Sequence, residues 1–107
     1  MPAGRPFRSA IRQNLVELLA LLGEGYGYEL YKYYRRLFPQ CSQKAIYYNL
    51  RAGLATREFV IKRVERVKGE YSWGGEAEKV VYGLGPKAQP KGDPKLAAAF
   101  AKLKGHV

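Results

Sequence analysis

The spacing of the apolar residues changes after about residue 55 of this chain. Before that point, apolar side chains recur every three or four residues in three successive runs, which is typical of helices that bury one face. After it, β-branched residues are interleaved with charged ones over Phe59–Lys68, which indicates a strand, and Lys79–Leu84 is a second strand candidate. We therefore expect an α+β fold that is mainly helical, with three helices followed by a two-stranded hairpin and a C-terminal helix.

Glycine, proline and serine mark the ends of the first two helices. Ser9 is suited to be the N-cap of a helix over Ala10–Leu22. The glycines that come directly after Leu22 end this helix. The segment Gly25–Leu30 is expected to open a second helix. That helix ends before Pro39, because proline forces its predecessor out of the helical conformation.

A third helix is predicted from Ser42, which can cap it, to about Ala55. Ile46, Leu50 and Leu54 recur at four-residue spacing and should form its buried stripe. Because only a short turn with a proline separates this helix from the second one, the pair is typical of a helix-turn-helix.

The chain of 107 residues has the length of a single domain. We divide it into a basic arm at residues 1–8, a folded domain at residues 9–85, and a connector with a C-terminal helix at residues 86–107. The glycine-rich stretch Gly69–Gly75 is expected to be a long loop at the tip of the hairpin.

The net charge is +10, from 19 Lys and Arg against 9 Asp and Glu, and it predicts attraction to a polyanion. There is no apolar run of about 20 residues and no signal segment, so we expect a cytoplasmic protein that is not bound to a membrane. Cys41 is the single cysteine, which leaves an inert thiol or, as the alternative, a redox-sensitive one. No metal, cofactor or catalytic constellation is apparent, so we expect a protein that is not an enzyme.

Three segments carry a family resemblance. Gly27-Tyr28-Glu29-Leu30, the run Ser42–Leu50 and the strand Lys79–Leu84 resemble the PadR-like winged helix-turn-helix family of transcriptional regulators, over roughly residues 10–88. The resemblance implies a recognition helix that starts at Ser42, a basic hairpin or wing, and a homodimer that binds double-stranded DNA. It leaves the small-molecule effector open, with an aromatic ligand in a tyrosine-lined cavity of the dimer as the form that family analogy suggests.

With its aliphatic stripe buried, the third helix should present polar and aromatic side chains to the major groove. The expected DNA-binding residues of this helix are Ser42, Gln43, Lys44, Tyr47, Tyr48 and Arg51. The wing should add Arg63, Arg66, Lys68, Tyr71 and Trp73, and the arm should add Arg5, Arg8 and Arg12. Each has an alternative: Tyr47 packed under the second helix, Lys44 and Arg51 merely solvated, Trp73 folded back or docked on a protein, and the arm simply solvated.

The C-terminal helix carries an apolar stripe of Leu96, Phe100 and Leu103. We expect this stripe to pack on a second copy and form a twofold dimer, with packing on its own chain as the alternative. Two further functions stay open: a sequence-tolerant architectural chromatin protein, favoured by the charge, and a winged-helix module that binds other proteins.

Overall fold

The computed structural model describes residues 10–38, 41–71 and 74–104, with the side chains of all of these except 67–71 and 74–77. This part of the chain forms four helices and three strands: α1 (Ala10–Leu22), β1 (Glu24–Tyr26), α2 (Gly27–Leu37), α3 (Gln43–Ala55), β2 (Phe59–Tyr71), β3 (Gly74–Leu84) and α4 (Pro94–Lys104). The strands make one antiparallel sheet in the order β1-β3-β2. The fold is therefore mainly helical and α+β, as predicted.

The core lies where α1, α2 and α3 meet the base of the sheet. Its eight fully buried large side chains are Phe59, Leu15, Leu18, Leu19, Leu30, Ile46, Leu50 and Val16. Burial of each such side chain contributes about 1.5–3 kcal/mol, before the entropy of ordering the chain is subtracted. Four of the eight come from α1, so this helix is the centre of the domain and not a surface element.

The first strand, β1, is an element that the sequence analysis missed. Gly23 ends α1 with a φ of +88°, and its N–H donates to the carbonyl of Leu19 at 2.7 Å. Glu24–Tyr26 then pairs antiparallel with Val81–Gly83, and α2 begins only at Gly27. Three residues are too few to show an alternating pattern, so their strand conformation depends on pairing with a distant segment.

The hairpin is longer and its loop shorter than predicted. Tyr71 pairs with Gly74, so only residues 72 and 73 separate the two strands. The expected long loop over Gly69–Gly75 is thus wrong. The register shifts between Lys68 and Tyr71, so this glycine-rich stretch holds an irregularity of the hairpin, where glycine is common.

The C-terminal end of α3 forms a Schellman motif. The N–H of Glu58 donates to the carbonyl of Gly53 at 3.0 Å, and the N–H of Arg57 donates to that of Leu54 at 3.3 Å. Arg57 has a φ of 66°, a left-handed conformation that glycine usually adopts at this position.

Gly53 has a second role within the core. A Cβ atom at this position would lie 2.1 Å from Cδ2 and 2.4 Å from Cε2 of Phe59. The ring of Phe59, which is 1% exposed, therefore packs directly on the backbone of α3. Absence of a side chain at residue 53 sets how closely β2 approaches α3.

The connector between β3 and α4 is attached to α1 through Glu17. This buried carboxylate accepts hydrogen bonds from the backbone N–H groups of Lys91 at 2.7 Å and Gly92 at 3.1 Å, and from Nε2 of Gln13 at 2.8 Å. Burial raises the pKa of Glu17, but the three hydrogen bonds and the charge of Lys91 outweigh it, so the pKa is lowered. The charged form of Glu17 thus holds the connector in place.

Candidate nucleic-acid interface

Ser42 is the N-cap of helix α3, as predicted from the sequence. Ser42 has extended backbone angles, and its Oγ accepts a hydrogen bond from the N–H of Ala45 at 3.0 Å. This N-cap satisfies one of the free N–H groups of the first turn and fixes where the helix starts. Ser42 is exposed, but its hydroxyl oxygen acts first as a structural cap.

The two sides of α3 differ sharply in exposure. Ile46 and Leu50 are fully buried, and Leu54 is half-buried, which confirms the predicted inner stripe. The opposite side, which we call the α3 face, consists of Gln43, Lys44, Tyr47, Tyr48 and Arg51, and all five are exposed. Helical periodicity alone was enough to find this face.

Asn49 is a buried polar residue of α3 that the sequence analysis did not single out. It is 4% exposed, and its Nδ2 donates to the carbonyl of Ala45 at 2.9 Å. This bond satisfies the amide nitrogen only, because the buried Oδ1 of Asn49 has no hydrogen-bond partner in the described part of the chain. An unpaired buried acceptor costs about 1–3 kcal/mol. The spacing of Asn49 from Ile46 places both on the inner side of the helix.

Tyr47 lies at the edge of the α3 face, partly against α2. Its ring packs over the backbone of Gly27, where a Cβ atom would come within 2.1 Å of Tyr47 Cε1. Its hydroxyl accepts a hydrogen bond from Nε2 of Gln43 at 3.3 Å. Tyr47 is 40% exposed and the neighbouring Tyr48 is 69% exposed, so the alternative of packing beneath α2 holds only in part.

An open cleft of about 430 Å³ separates the α3 face from the hairpin. Four tyrosines and four residues from α2 and β3 line it: Tyr26, Gly27, Tyr28, Tyr47, Glu78, Lys79, Val80 and Tyr82. Burial raises the pKa of Tyr82, against the opposing charge of Arg51, which lies close to it.

Lys79 is a cation of this cleft that was not among the predicted site residues. Its Nζ lies over the ring of Tyr26, 4.3 Å from the ring centre, in cation–π geometry. The sequence identified Lys79 only as the start of a strand. Its position at the cleft depends on the missed strand β1, which carries Tyr26.

A bulge at Lys62 decides which side of the hairpin faces α3. Ile61 pairs with Tyr82, but the register then shifts, and Arg63 pairs with Val81. Directly paired residues share one face of a sheet, so Ile61 lies on the side of Tyr82, towards the cleft. Val64 lies on that same side, because it pairs with Val80. Ile61 and Val64 are 49% and 51% exposed.

The alternation of β2 separates the two arginines of the hairpin, because they are three positions apart in a regular stretch of the strand. Arg66 pairs with Glu78, which puts it on the cleft side, at 3.8 Å from that carboxylate. Arg63 lies on the opposite side and forms 2.6 Å ion pairs with both Glu24 and Glu65. The two arginines therefore face opposite sides of the hairpin and do not share one surface.

The two carboxylates change the acid–base properties of this cluster. Their hydrogen bonds raise the pKa of Arg63, and the bond from Arg63 lowers the pKa of Glu24. Because Glu24 belongs to β1 and Arg63 to β2, the pair ties both outer strands of the sheet across β3. All three side chains are partly exposed, so these ion pairs add little to the stability of the sheet, which its backbone pairing provides.

Arg12 does not belong to a basic arm. It lies in α1, with its side chain 17% exposed, and it pairs with the buried carboxylate of Glu58 at 3.6 Å. Glu58 also accepts a hydrogen bond from Oγ1 of Thr56 at 2.7 Å. A buried charge needs such partners, so Arg12 serves the junction of α1 with the end of α3. Its expected place in the arm is wrong, and its contact with DNA stays a prediction.

The apolar stripe of α4 is divided between the interior and the surface. Phe100 is 8% exposed and packs on Tyr33 of α2, with the ring centres 5.5 Å apart. Leu96 and Leu103 are half-buried. Packing on its own chain thus accounts for Phe100, which we had expected at a dimer interface.

Several predicted site residues lie outside the described part of the chain. These are Arg5, Arg8 and Trp73, together with the side chains of Lys68 and Tyr71. Cys41 is described and half-buried, and burial raises the pKa of its thiol. That shift opposes formation of the reactive thiolate that a redox role requires.

The chain matches no protein-family model and no curated protein sequence. Among the residues that the structure describes, no helix is both long and apolar enough to cross a bilayer.

Proposed function

We propose that this chain is a winged helix-turn-helix protein that binds double-stranded DNA at preferred sequences and regulates transcription. The observation that carries the proposal is the α3 face: five exposed polar and aromatic residues on a helix whose other side is fully packed. A single exposed helix of this kind fits the major groove.

The chemistry of the α3 face suits both base edges and phosphates. Gln43 carries an amide that matches adenine, whereas Lys44 and Arg51 carry donors that match guanine. The tyrosine hydroxyls are donors for phosphate oxygens. The start of α3, with its partly free N–H groups and the positive end of the helix dipole, favours a phosphate as well.

The hairpin supports the winged-helix assignment. It follows α3 directly, it extends as two long strands, and a short strand between α1 and α2 completes its sheet. On its cleft side it carries Arg66 with Ile61 and Val64. We propose that this side, with Arg66 as its cation, contacts the DNA backbone beside the groove that α3 enters.

We further propose a homodimer, because two copies double the number of base pairs that one small domain reads. Leu96 and Leu103, which are half-buried in one chain, remain as the apolar residues of α4 for this contact. The proposed activity is binding and not catalysis.

Selection of bound duplexes from a random pool tests the proposal. We expect one preferred duplex, bound more tightly than unrelated DNA. Lys44→Ala or Arg51→Ala should cost about 1–3 kcal/mol on that duplex if the side chain reads a base. Lys102→Ala, which removes the same charge from the exposed side of α4, is the matched control and should leave the preference unchanged.

The outcomes separate the candidate functions. A steep salt dependence with no preferred sequence would favour the architectural alternative, which rests on the net charge of +10. An equal loss on every duplex would assign the mutated residue to a phosphate. Failure to retard any duplex at low salt would refute DNA binding itself.

A further inference from the structure

Two residues of the α3 face are coupled to each other. Gln43 and Tyr47 lie one helical turn apart, and Nε2 of Gln43 donates to the hydroxyl oxygen of Tyr47 at 3.3 Å. In the described part of the chain, the Gln43 carboxamide makes no other hydrogen bond. Its oxygen and its second amide proton therefore stay available at an exposed position.

Tyr47 is in turn held by α2. Its ring occupies the space that a side chain at residue 27 would fill, since a Cβ atom there would lie 2.1 Å from Cε1 and 2.9 Å from Cδ1. Gly27 is buried, whereas Tyr48 on the same helix has no such seat and is 69% exposed. Of these two neighbouring tyrosines, it is Tyr47 that contacts both α2 and Gln43.

We infer that Tyr47 is a positioning residue: seated on Gly27, it holds the Gln43 carboxamide in the orientation that reads adenine in the major groove. The inference rests on the proposed function. Adenine presents an N6–H donor beside an N7 acceptor, and the free oxygen and free amide proton of Gln43 complement this pair. Guanine presents two acceptors there, so one of the two contacts is lost.

Holding the amide in advance matters because a free glutamine loses rotamer freedom when it binds. Removing that cost is worth about a 3- to 10-fold gain in affinity for one side chain. Tyr47→Phe keeps the ring on Gly27 but removes the hydroxyl that orients the amide. Gly27→Ala keeps the hydroxyl but forces the ring away, and at 40% exposure Tyr47 has solvent to move into.

The first measurement uses the free protein. ¹⁵N relaxation should show a rigid Gln43 side-chain amide in the wild type and a mobile one in Tyr47→Phe and in Gly27→Ala. Tyr33→Phe, which removes a hydroxyl from α2 beside Phe100, is the matched control and should behave like the wild type. If the Gln43 amide is equally mobile in wild type and Tyr47→Phe, the inference is overturned, whatever the DNA results.

The second measurement uses the selected duplex. Gln43→Ala identifies the position in the duplex at which base preference depends on this amide. Replacing adenine with 7-deazaadenine at that position removes the N7 acceptor. We expect Tyr47→Phe and Gly27→Ala to lose about 3- to 10-fold of the preference for adenine at that position while binding an unrelated duplex like the wild type. Full preference in Tyr47→Phe, or a Gln43-dependent preference for guanine, overturns the inference. If the wild type selects no sequence, the proposed function fails and adenine reading fails with it, whereas the relaxation data still decide whether Tyr47 orients Gln43.

Discussion

Replacement of Gly53 by alanine should destabilise this protein, although the same change in most helices stabilises. In an exposed helix interior, Gly→Ala gains about 1 kcal/mol of helix propensity. Here the new Cβ would lie 2.1 Å from Cδ2 of Phe59, and carbon atoms in contact need about 3.5–4.0 Å. The buried ring must therefore move by roughly 1.5 Å, the difference between these two distances.

Overpacking of a core costs about 1–3 kcal/mol, and a displaced ring belongs at the upper end of that range. Subtracting the propensity gain leaves a net loss of about 2 kcal/mol, or about 10 °C in the melting temperature. Urea unfolding followed by circular dichroism measures it. The matched control is a double-mutant cycle with Phe59→Leu, in whose background Gly53→Ala should cost less. A more stable Gly53→Ala protein, or an equal cost in both backgrounds, would refute the packing argument.

Three further outcomes follow from particular residues. Glu17→Gln should lower the free energy of unfolding at pH 7 by about 1–2 kcal/mol. Because the folded-state pKa of Glu17 lies below that of an unperturbed glutamate, its contribution is present above the unfolded-state pKa and is lost as the pH falls through the folded-state pKa. Acid titrations of the two proteins should therefore converge. Arg57→Gly should raise the free energy of unfolding by about 0.5–1 kcal/mol in the same urea assay, because glycine adopts the left-handed conformation without strain. A lower free energy of unfolding would indicate that the arginine side chain stabilises the fold by more than its backbone strain destabilises it. Arg66→Ala should lower the slope of log K against log salt by about 1 on every duplex, whereas Arg63→Ala should leave that slope unchanged; equal slopes for both variants would contradict the assignment of the two arginines to opposite sides of the hairpin.

The helices of this fold were predictable because their signals are local. Ser42 caps α3 within its own first turn, and Ile46 and Leu50 identify its buried side by spacing alone. The α3 face is simply the complement of that stripe. No contact with a distant segment was needed to find it.

The errors concern residues whose partners are far away in sequence. Arg63 looked like a free basic residue of the hairpin, but one of its carboxylate partners, Glu24, is 39 positions earlier. Arg12 pairs with Glu58, and helices α2 and α3 lie between these two residues in the sequence. A count of charges cannot reveal such ion pairs, because the sequence pattern does not show which helices and strands lie close together in the folded protein.

The bulge at Lys62 is a third case. Strict alternation would place Ile61 and Arg63 on one side of the sheet, but the extra residue reverses the order, and Ile61 and Val64 share a side instead. An inserted residue of this kind depends on the register of pairing with β3. The residue type at position 62, a lysine, does not by itself predict a bulge.

The three residues of β1 have a practical consequence for redesign. Their last member, Tyr26, directly precedes Gly27, the residue on which Tyr47 rests, and their backbone is bonded to β3. A foreign hairpin of different twist would thus displace Gly27, on which Tyr47 packs, as well as distort the sheet. Anyone who wishes to retarget this protein by grafting should transfer Glu24–Tyr26 together with both long strands, as one cassette.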